Sequence, residues 1–490
     1  MPGPGPRPPR AGRGCRRGVE GPGRGFGAGA LLLAAALVLL VGGIRPASAQ
    51  RGVAGPIHQP NIDALIEGAE NWLARIEEQG WFLRGQMTNT LLAHPRFRSP
   101  YRGPNSLSPK RDSTAMQTID IVIGRRLWHN AEVVAVPSPT RGYGFSDNRG
   151  LGALSNAEAF HSGTTDWDFN LARLFIRQTI DLSYDAYGVD DDPMRFTGPL
   201  ALERITLTAG KVAVWDFFDN NRYAHDARGQ FLNYALVGAG AVDFAGDPAG
   251  YNHGAVFEWE NGAWATRLGA FQVARNQGSD FLDAKVLQGR QLLFQLDRFW
   301  WAGLRPGALR LLVGSSRTRA ARYEDLTRAV LSGADAAVAE RLRAYRSKAM
   351  VALNAEQALT DTLGAFARLG WNDGRSQNFM FTEMDWSVSG GLSLNGLGWG
   401  RHGDTVAIGA NLGGLHAPQR RYLAAGGLGF VIGDGRLPRY APEVIVEAYY
   451  QAQLVPGLTA AVDAQLIANP AYNAQRGPVA IGALRLRAAF

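Results

Sequence analysis

The sequence predicts an all-β protein, a 16-stranded antiparallel transmembrane β-barrel with a short N-terminal helix. Segments of about ten residues with period-two alternation, separated by turn residues, recur from residue 81 to the end of the chain. No apolar run of about 18 residues follows the N-terminal region, so no membrane-spanning helix is expected. The chain also ends on an aromatic residue, Phe490, within a strand that has one apolar and one basic face.

The final strand, residues 479–490, shows this alternation most clearly. It carries two leucines and two arginines in turn, Leu484, Arg485, Leu486 and Arg487. Because such a strand has lipid on one side and water on the other, we expect the leucines to meet lipid and the arginines to line the pore. Phe490 is predicted to be the assembly end, recognised by the barrel-assembly machinery at the periplasmic rim.

Residues 1–49 have the pattern of a secretory signal peptide. An arginine-rich stretch precedes the apolar run 30–44, and Ala47-Ser48-Ala49 fits a cleavage site. Cleavage leaves 44 basic and 42 acidic residues, a formal charge of +2 instead of +8, so nucleic-acid binding is not supported. Cleavage also removes the only cysteine, Cys15, which excludes disulfides and thiolate metal sites. No metal or cofactor is expected.

Residues 50–80 are predicted to form a helical segment at the periplasmic mouth or in the lumen, and residues 81–490 the barrel. Apolar residues at helical spacing from Ile62 to Ile76 define the helix. The sixteen predicted strands are 81–91, 114–125, 131–136, 168–180, 203–213, 254–259, 263–274, 290–300, 308–315, 349–358, 362–371, 382–394, 405–412, 443–454, 458–468 and 478–490.

The predicted connections alternate in length, with short periplasmic turns and long extracellular loops. An even strand number places both chain ends in the periplasm, so residues 423–432 are assigned to a folded loop instead of a seventeenth strand. The exception is 181–202, a long connection on the periplasmic side. It indicates either an insertion or an error in a neighbouring strand.

A charged and aromatic stretch, residues 211–228, is the candidate constriction. Sugars have hydroxyls in the ring plane and apolar C–H faces, so a selective constriction combines hydrogen-bonding forks, carboxylates and aromatic surfaces. The stretch holds all three: Lys211, Trp215, Asp216, Phe217, Phe218, Asp219, Arg222, Tyr223, Asp226 and Arg228. The alternative is a solvated extracellular loop.

Strand phase adds charged wall residues. A lipid-facing arginine near the bilayer centre costs roughly 2–4 kcal/mol, so such residues are expected to point inward. The candidates are Arg84, Arg173, Arg177, Arg485 and Arg487, with Glu258, Arg267 and Glu383 as weaker ones. For each, a structural salt-bridge ladder is the alternative role.

The segment 317–346 carries seven arginines and a helical apolar stripe, Tyr323, Leu326, Val330, Ala334 and Ala337. It predicts a solvated loop helix, or alternatively a contact with lipopolysaccharide phosphates, because arginine forks suit phosphate oxygens.

Three stretches resemble the carbohydrate-selective outer-membrane porins of the OprB type. They are residues 209–233 (AGKVAVWDFFDNNRYAHDARGQFLN), 398–406 (GWGRHGDTV) and 443–472 (EVIVEAYYQAQLVPGLTAAVDAQLIANPAY). The resemblance covers most of residues 70–490. It implies a sixteen-stranded barrel in the outer membrane of a Gram-negative bacterium and passive diffusion of sugars such as glucose. The segments 181–202 and 316–348 are longer than the resemblance implies.

The leading hypothesis is a non-enzymatic sugar porin with sugars, outer-membrane lipid and possible lipopolysaccharide as partners. One alternative is a general or differently selective porin, since fold does not determine the solute. The other is a secreted β-rich carbohydrate-active enzyme or lectin, because carboxylate pairs and aromatics would suit a glycoside hydrolase. Monomer and homotrimer both stay open.

Overall fold

Sixteen strands hydrogen-bond in an unbroken ring in the computed structural model, which describes residues 71–490 except 190, 191, 280 and 335. The predicted signal peptide and most of the predicted N-terminal segment lie outside the described residues. The strands of the ring are β1 (Trp81–His94), β2 (Asp112–Trp128), β3 (Ala131–Gly142), β4 (Thr164–Asp181), β7 (Arg204–Val212), β8 (Asn252–Glu260), β9 (Trp264–Gln272), β10 (Arg290–Ala302), β11 (Arg305–Ala320), β12 (Ala344–Ala358), β13 (Leu363–Asn372), β14 (Trp386–Asn395), β15 (Thr405–Gly414), β16 (Glu443–Val455), β17 (Leu458–Ala468) and β18 (Val479–Ala489). Two short strands outside the ring, β5 (Ala186–Val189) and β6 (Gly198–Ala201), pair with each other.

The first and last strands close the barrel. β1 and β18 are antiparallel, with Thr88 opposite Arg487 and Leu92 opposite Ala483. All sixteen predicted strands overlap strands of the ring, and residues 423–432 lie in a loop, so the predicted fold is confirmed.

Successive side chains of each strand point to opposite sides of the wall. In β18, Leu484 and Leu486 are 56% and 45% exposed on the outside, whereas Arg485 is 4% exposed and points inward. The two faces predicted for this strand are therefore confirmed. In the part of the chain that the structure describes, no helix is long and apolar enough to cross a membrane.

Connections of different length define the two ends of the barrel. The turn end carries the short connections, such as 261–263 and 456–457, and the loop end carries eight longer ones. Four of them are used below and are called loop 3 (213–251), loop 4 (273–289), loop 6 (373–385) and loop 7 (415–442). Short turns face the periplasm in bacterial outer-membrane barrels.

The connection 182–203 is an insertion at the turn end. β4 and β7 on either side of it pair directly with each other, so neither neighbouring strand was misplaced. Part of the insertion turns back into the barrel, where Arg84 donates to the Arg195 carbonyl at 2.9 Å. The Phe196 ring meets the Phe82 ring edge-on, with 4.7 Å between centroids. A preceding helix, α1 (71–78), contacts this insertion through Glu77.

Loop 3 enters the barrel and forms the centre of its hydrophobic core. Phe218, Phe231, Leu232 and Leu236 in this loop are completely buried. The loop includes one helical turn, α2 (Tyr234–Val237), which begins at the side-chain cap of Asn233. A loop folded inward narrows a barrel of this size, which would otherwise hold a wide aqueous lumen.

The loop end carries a small helical cap. In it, α3 (Tyr323–Leu331) packs on α5 (Ala417–Ala424), and Tyr323 and Leu326 are buried in the contact. The apolar stripe predicted between Tyr323 and Ala337 is interrupted at Gly333, after which α4 (Ala336–Arg341) follows.

Candidate channel constriction

Arg368 of β13 fastens loop 3 to the wall. Its guanidinium donates to Asp219 Oδ1 at 3.1 Å, to the Leu236 carbonyl at 2.9 Å and to the Ala224 carbonyl at 2.5 Å. The side chain is completely buried, as is that of Asp219 to within 1%. A buried charge is tolerated only when it is paired and hydrogen-bonded, and here every bond goes to the same loop.

Two further wall residues hold the loop by its backbone. The Glu447 carboxylate of β16 accepts the N–H groups of Leu232 and Asn233 at 2.5 and 2.9 Å. Arg485 of β18 donates to the Ala227 and Gln230 carbonyls at 2.7 and 2.8 Å. Together with Arg368, these residues attach loop 3 to three strands of the wall.

A cavity of about 700 Å³ remains between loop 3 and the wall formed by β1 to β4. Loop 3 contributes Trp215, Asp216, Asp226, Arg228 and Tyr251 to its lining. Asp192, Pro193 and Met194 of the turn-end insertion line its lower part. The cavity is therefore shaped by two inward segments, one from each end of the barrel.

The charges that line the cavity are balanced. Among the residues that the structure describes, five are basic and five are acidic: Arg84, Arg173, Arg177, Arg228 and Arg487 with Asp120, Glu158, Asp192, Asp216 and Asp226. Most are paired in place. Arg173 makes a two-pronged contact with Asp216, with N–O distances of 2.6 and 2.7 Å, and Arg177 pairs with Glu132 at 2.7 Å.

Arg228 and Arg487 form two further sets of ion pairs with loop 3. Arg228 lies between Asp120 and Glu158, contacting both. Burial alone would raise the pKa of Glu158, but Arg228 and His161 hold that pKa well below its usual value. Arg487 meets Asp226 at 3.3 Å, and these side chains are 31% and 45% exposed, so this pair can exchange its partners with a passing solute.

Trp215 presents an aromatic surface to the cavity. Its indole Nε1 donates to His225 Nδ1 at 2.7 Å, and its ring meets the Tyr234 ring edge-on at 5.1 Å. Burial, with a smaller contribution from Arg368, lowers the pKa of His225 to about 4. The imidazole is therefore neutral at neutral pH and can accept the indole hydrogen, which fixes the orientation of Trp215.

The cavity brings together most of the predicted constriction residues. Its lining includes nine of them: Arg84, Arg173, Arg177, Trp215, Asp216, Phe217, Asp226, Arg228 and Arg487. Six predicted residues lie elsewhere: Lys211, Phe218, Asp219, Arg222, Tyr223 and Arg485. Asp219 and Arg485 are turned into the loop anchors because their charges have buried partners there. Arg222 is exposed outside the cavity, and Lys211 reaches Asn170 and Asp247 instead.

The weaker candidates have structural contacts. Arg267 joins Glu258, Glu260 and Asp297 in the ion-pair ladder that was the alternative for these positions. Glu383 lies in loop 6, where it accepts the N–H groups of residues 430–432 of loop 7.

Sequence reasoning missed the anchors Arg368 and Glu447. The alternation along β13 and β16 does place both charged residues on the inner face, opposite apolar side chains, as it does for Arg173. Their partners are 149 and about 215 residues away, however, and no local pattern indicates them.

Comparison with known proteins identifies the family. Residues 116–490 match the model of the carbohydrate-selective porins, OprB family. The chain is similar to the high-pH structure of Pseudomonas putida OprB, with a TM-score of 0.65 and 16% identity over 85% of this chain and 96% of that one.

Two further structures were compared. The low-pH structure of the same protein gives a TM-score of 0.48, with 13% identity over 86% and 96% of the two chains. The channel DcaP of Acinetobacter baumannii gives 0.44, with 8% identity over 84% and 98%. The sequence matches none of the curated proteins with which it was compared. The family match spans more than half of the chain, and the first structure shares its fold, so the chain belongs to the OprB family of carbohydrate-selective porins, whose barrels lie in the outer membrane.

Proposed function

We propose that this protein allows neutral sugars of the glucose type to diffuse passively across the outer membrane, with a bias set at the cavity beside loop 3. The observation that carries the proposal is the lining of that cavity. Its described residues combine equal numbers of basic and acidic side chains with the half-buried ring of Trp215.

The balance of charge favours an uncharged solute. An excess of one sign would concentrate ions of the opposite sign, as rings of like charge do in ion channels. Here four of the five lining guanidiniums have a carboxylate beside them, as in the pair Arg487–Asp226, and Arg84 donates to the Arg195 carbonyl. A sugar hydroxyl both donates and accepts, so it can insert into such a pair without leaving a charge unpaired.

Trp215 supports the sugar bias in a different way. The apolar C–H face of a pyranose ring can lie on an indole while its hydroxyls reach the polar groups around it. Asp216 follows Trp215 in the chain, and Arg173 pairs with Asp216. Aromatic and polar contacts are therefore available together in the cavity.

The organisation of the precursor forms part of the proposal. Residues 1–49 would be a cleaved signal peptide, residues 50–80 a helical segment at the periplasmic mouth, and residues 81–490 the barrel. Phe490 would be the end that the barrel-assembly machinery recognises; its backbone N–H donates to the Gly85 carbonyl at 2.9 Å, which supports a fixed terminal strand.

A liposome-swelling assay with a panel of sugars and amino acids tests the proposed solute. We expect hexoses to enter faster than amino acids of similar or smaller size. Entry rates that depend on the size of the solute alone would favour a general diffusion porin. A preference for charged solutes would favour a differently selective one.

A further inference from the structure

A cluster of basic side chains lies on the outer surface of the barrel at the loop end, away from the channel. Arg290 of β10 and Arg317 of β11 are direct partners across two neighbouring strands. Both point outward, since Gln291, Ser316 and Thr318, which alternate with them, are at most 4% exposed inside. Like charges directly opposite each other across a strand pair repel, so this arrangement is unfavourable by itself.

The same surface continues toward loop 4. Arg319, next along the outer face of β11, pairs with Tyr345 of β12. Together with Arg275 and Lys285, these two residues line an open hollow of about 660 Å³. Five basic side chains thus lie close together on one face: Arg275, Lys285, Arg290, Arg317 and Arg319.

Among the described residues, two acidic groups lie near this surface, Asp283 and Glu340. Asp283 is 4% exposed, and its carboxylate accepts from the Tyr345 hydroxyl at 2.7 Å and the Lys285 N–H at 2.9 Å. Glu340 approaches Arg319 only to 4.0 Å. Among the residues that the structure describes, Arg275 and Arg317 have no acidic partner.

The position of the cluster relative to the apolar band indicates its partner. On the same outer face, next to the cluster on the side away from the loop end, lie Leu292, Val313 and Val351. These side chains are exposed, as lipid-facing residues are. Loop 4 adds two strongly exposed apolar residues, Phe281 at 72% and Leu287 at 84%. A basic surface that continues into apolar side chains matches the layer of a membrane in which charged headgroups meet acyl chains.

We propose that this outer surface binds the phosphate groups of a phosphorylated lipid of the outer leaflet, lipopolysaccharide being the class tested. Arg290 and Arg317 would share one phosphate, because guanidinium forks bind phosphate oxygens in pairs and an anion between them removes their repulsion. Phe281 and Leu287 would contact the acyl region of the same lipid. The inference rests on the outer-membrane location and does not depend on the solute of the channel.

Binding of purified lipopolysaccharide to the full-length protein in detergent, measured by native mass spectrometry and thermophoresis, tests this site. The test variant is Arg290→Gln/Arg317→Gln. The matched control is Arg328→Gln/Arg421→Gln, which removes two exposed arginines, 78% and 60% accessible, from the helical cap. We expect the test variant to bind lipopolysaccharide about 30-fold more weakly, because each of the two basic side chains contributes about 1 kcal/mol near an anionic lipid surface. The control should bind as the wild type does.

Three probes distinguish the sources of phosphate. Intact lipopolysaccharide should bind to the wild type. The dephosphorylated form should bind to the wild type only as weakly as intact lipopolysaccharide binds to the test variant. Inorganic phosphate should not reach the occupancy of the intact lipid. Phe281→Ser/Leu287→Ser should also weaken binding of the intact lipid. Wild-type affinity in the test variant, equal binding of the dephosphorylated lipid, or saturation by inorganic phosphate alone would overturn the proposal. Sugar flux through the same variants should be unchanged, so failure of this site and failure of the proposed channel function are separable.

Discussion

Arg368 of β13 and Asp219 of loop 3 form a completely buried ion pair that joins the barrel wall to the segment within it, with 3.1 Å between Nε and Oδ1. The same guanidinium also donates to three loop carbonyls, so one wall side chain holds the loop at several points. The channel is the space that remains on the opposite side of loop 3.

Arg368→Gln should release loop 3, because it leaves Asp219 buried without a counter-charge. Breaking a buried pair in this way costs about 3–5 kcal/mol, so thermal stability should fall and single-channel conductance should rise or become noisy. Arg222→Gln removes an exposed arginine from the same loop and should change neither quantity. Unaltered conductance and melting temperature in Arg368→Gln would contradict the anchoring role.

The Arg173–Asp216 pair should control ion preference. Asp216→Asn leaves an unpaired guanidinium in the cavity and should shift the reversal potential in a salt gradient toward anions. Arg173→Gln should shift it toward cations, and the double variant should lie near the wild type. If both single variants keep the wild-type reversal potential, the pair does not face the permeation path.

Neutralising Arg173 and Arg177 together should have a larger effect than either change alone. Arg177 donates to the Met194 carbonyl at 3.0 Å, so its loss also frees the part of the turn-end insertion that lines the cavity. We expect altered conductance and faster sugar entry in planar bilayers and liposomes for Arg173→Gln/Arg177→Gln. Wild-type conductance together with wild-type flux would refute the assignment.

Trp215→Ala should reduce the preference for sugars by up to about tenfold, as aromatic contacts of this kind contribute about 0.5–1.5 kcal/mol. His225→Ala should give a smaller loss, because the indole keeps its place in the cavity but loses the acceptor that orients it. Entry rates of glucose relative to glycerol would measure both effects. Trp300→Phe, at the turn end of β10, is the control.

Glu383 should make the loop-end contact pH-dependent. Burial raises its pKa to about 7, although three backbone N–H groups from loop 7 oppose this and nearby Asp385 adds to it. A carboxyl whose pKa is higher in the folded than in the unfolded state binds its proton more tightly when folded. The free energy of unfolding should therefore fall by at most about 3 kcal/mol as the pH rises from about 4.5 to 7. Above pH 7 it should change little.

Glu383→Gln is the matched variant for this dependence. It keeps the size of the side chain and one acceptor but cannot titrate, so the decline between pH 4.5 and 7 should become smaller. Melting temperatures at pH 5 and 7.5 would show it. A wild type that is equally stable at both values, or a variant with the same decline, would contradict the assignment.

The fold could be read from the sequence because each strand crosses an apolar layer and must alternate. That requirement alone separated Leu484 from Arg485 and located all sixteen strands. The roles of the charged residues inside could not be read in the same way. Alternation shows that Arg173 and Arg368 both point inward, but only the path of loop 3 decides that one lines the cavity and the other is buried. The insertion 182–203 was detectable by its length, yet its return into the lumen depends on contacts with Arg84 and Phe82.

The measurement that tests the central claim most directly compares three pyranose solutes, glucose, glucuronate and glucosamine, by swelling of liposomes that contain the purified protein. They differ chiefly in charge, so size cannot explain a difference in rate. A cavity with balanced charges and an aromatic surface predicts that glucose enters faster than either ion, and that Trp215→Ala reduces this advantage. Faster entry of glucuronate or glucosamine than of glucose would contradict a channel for neutral sugars.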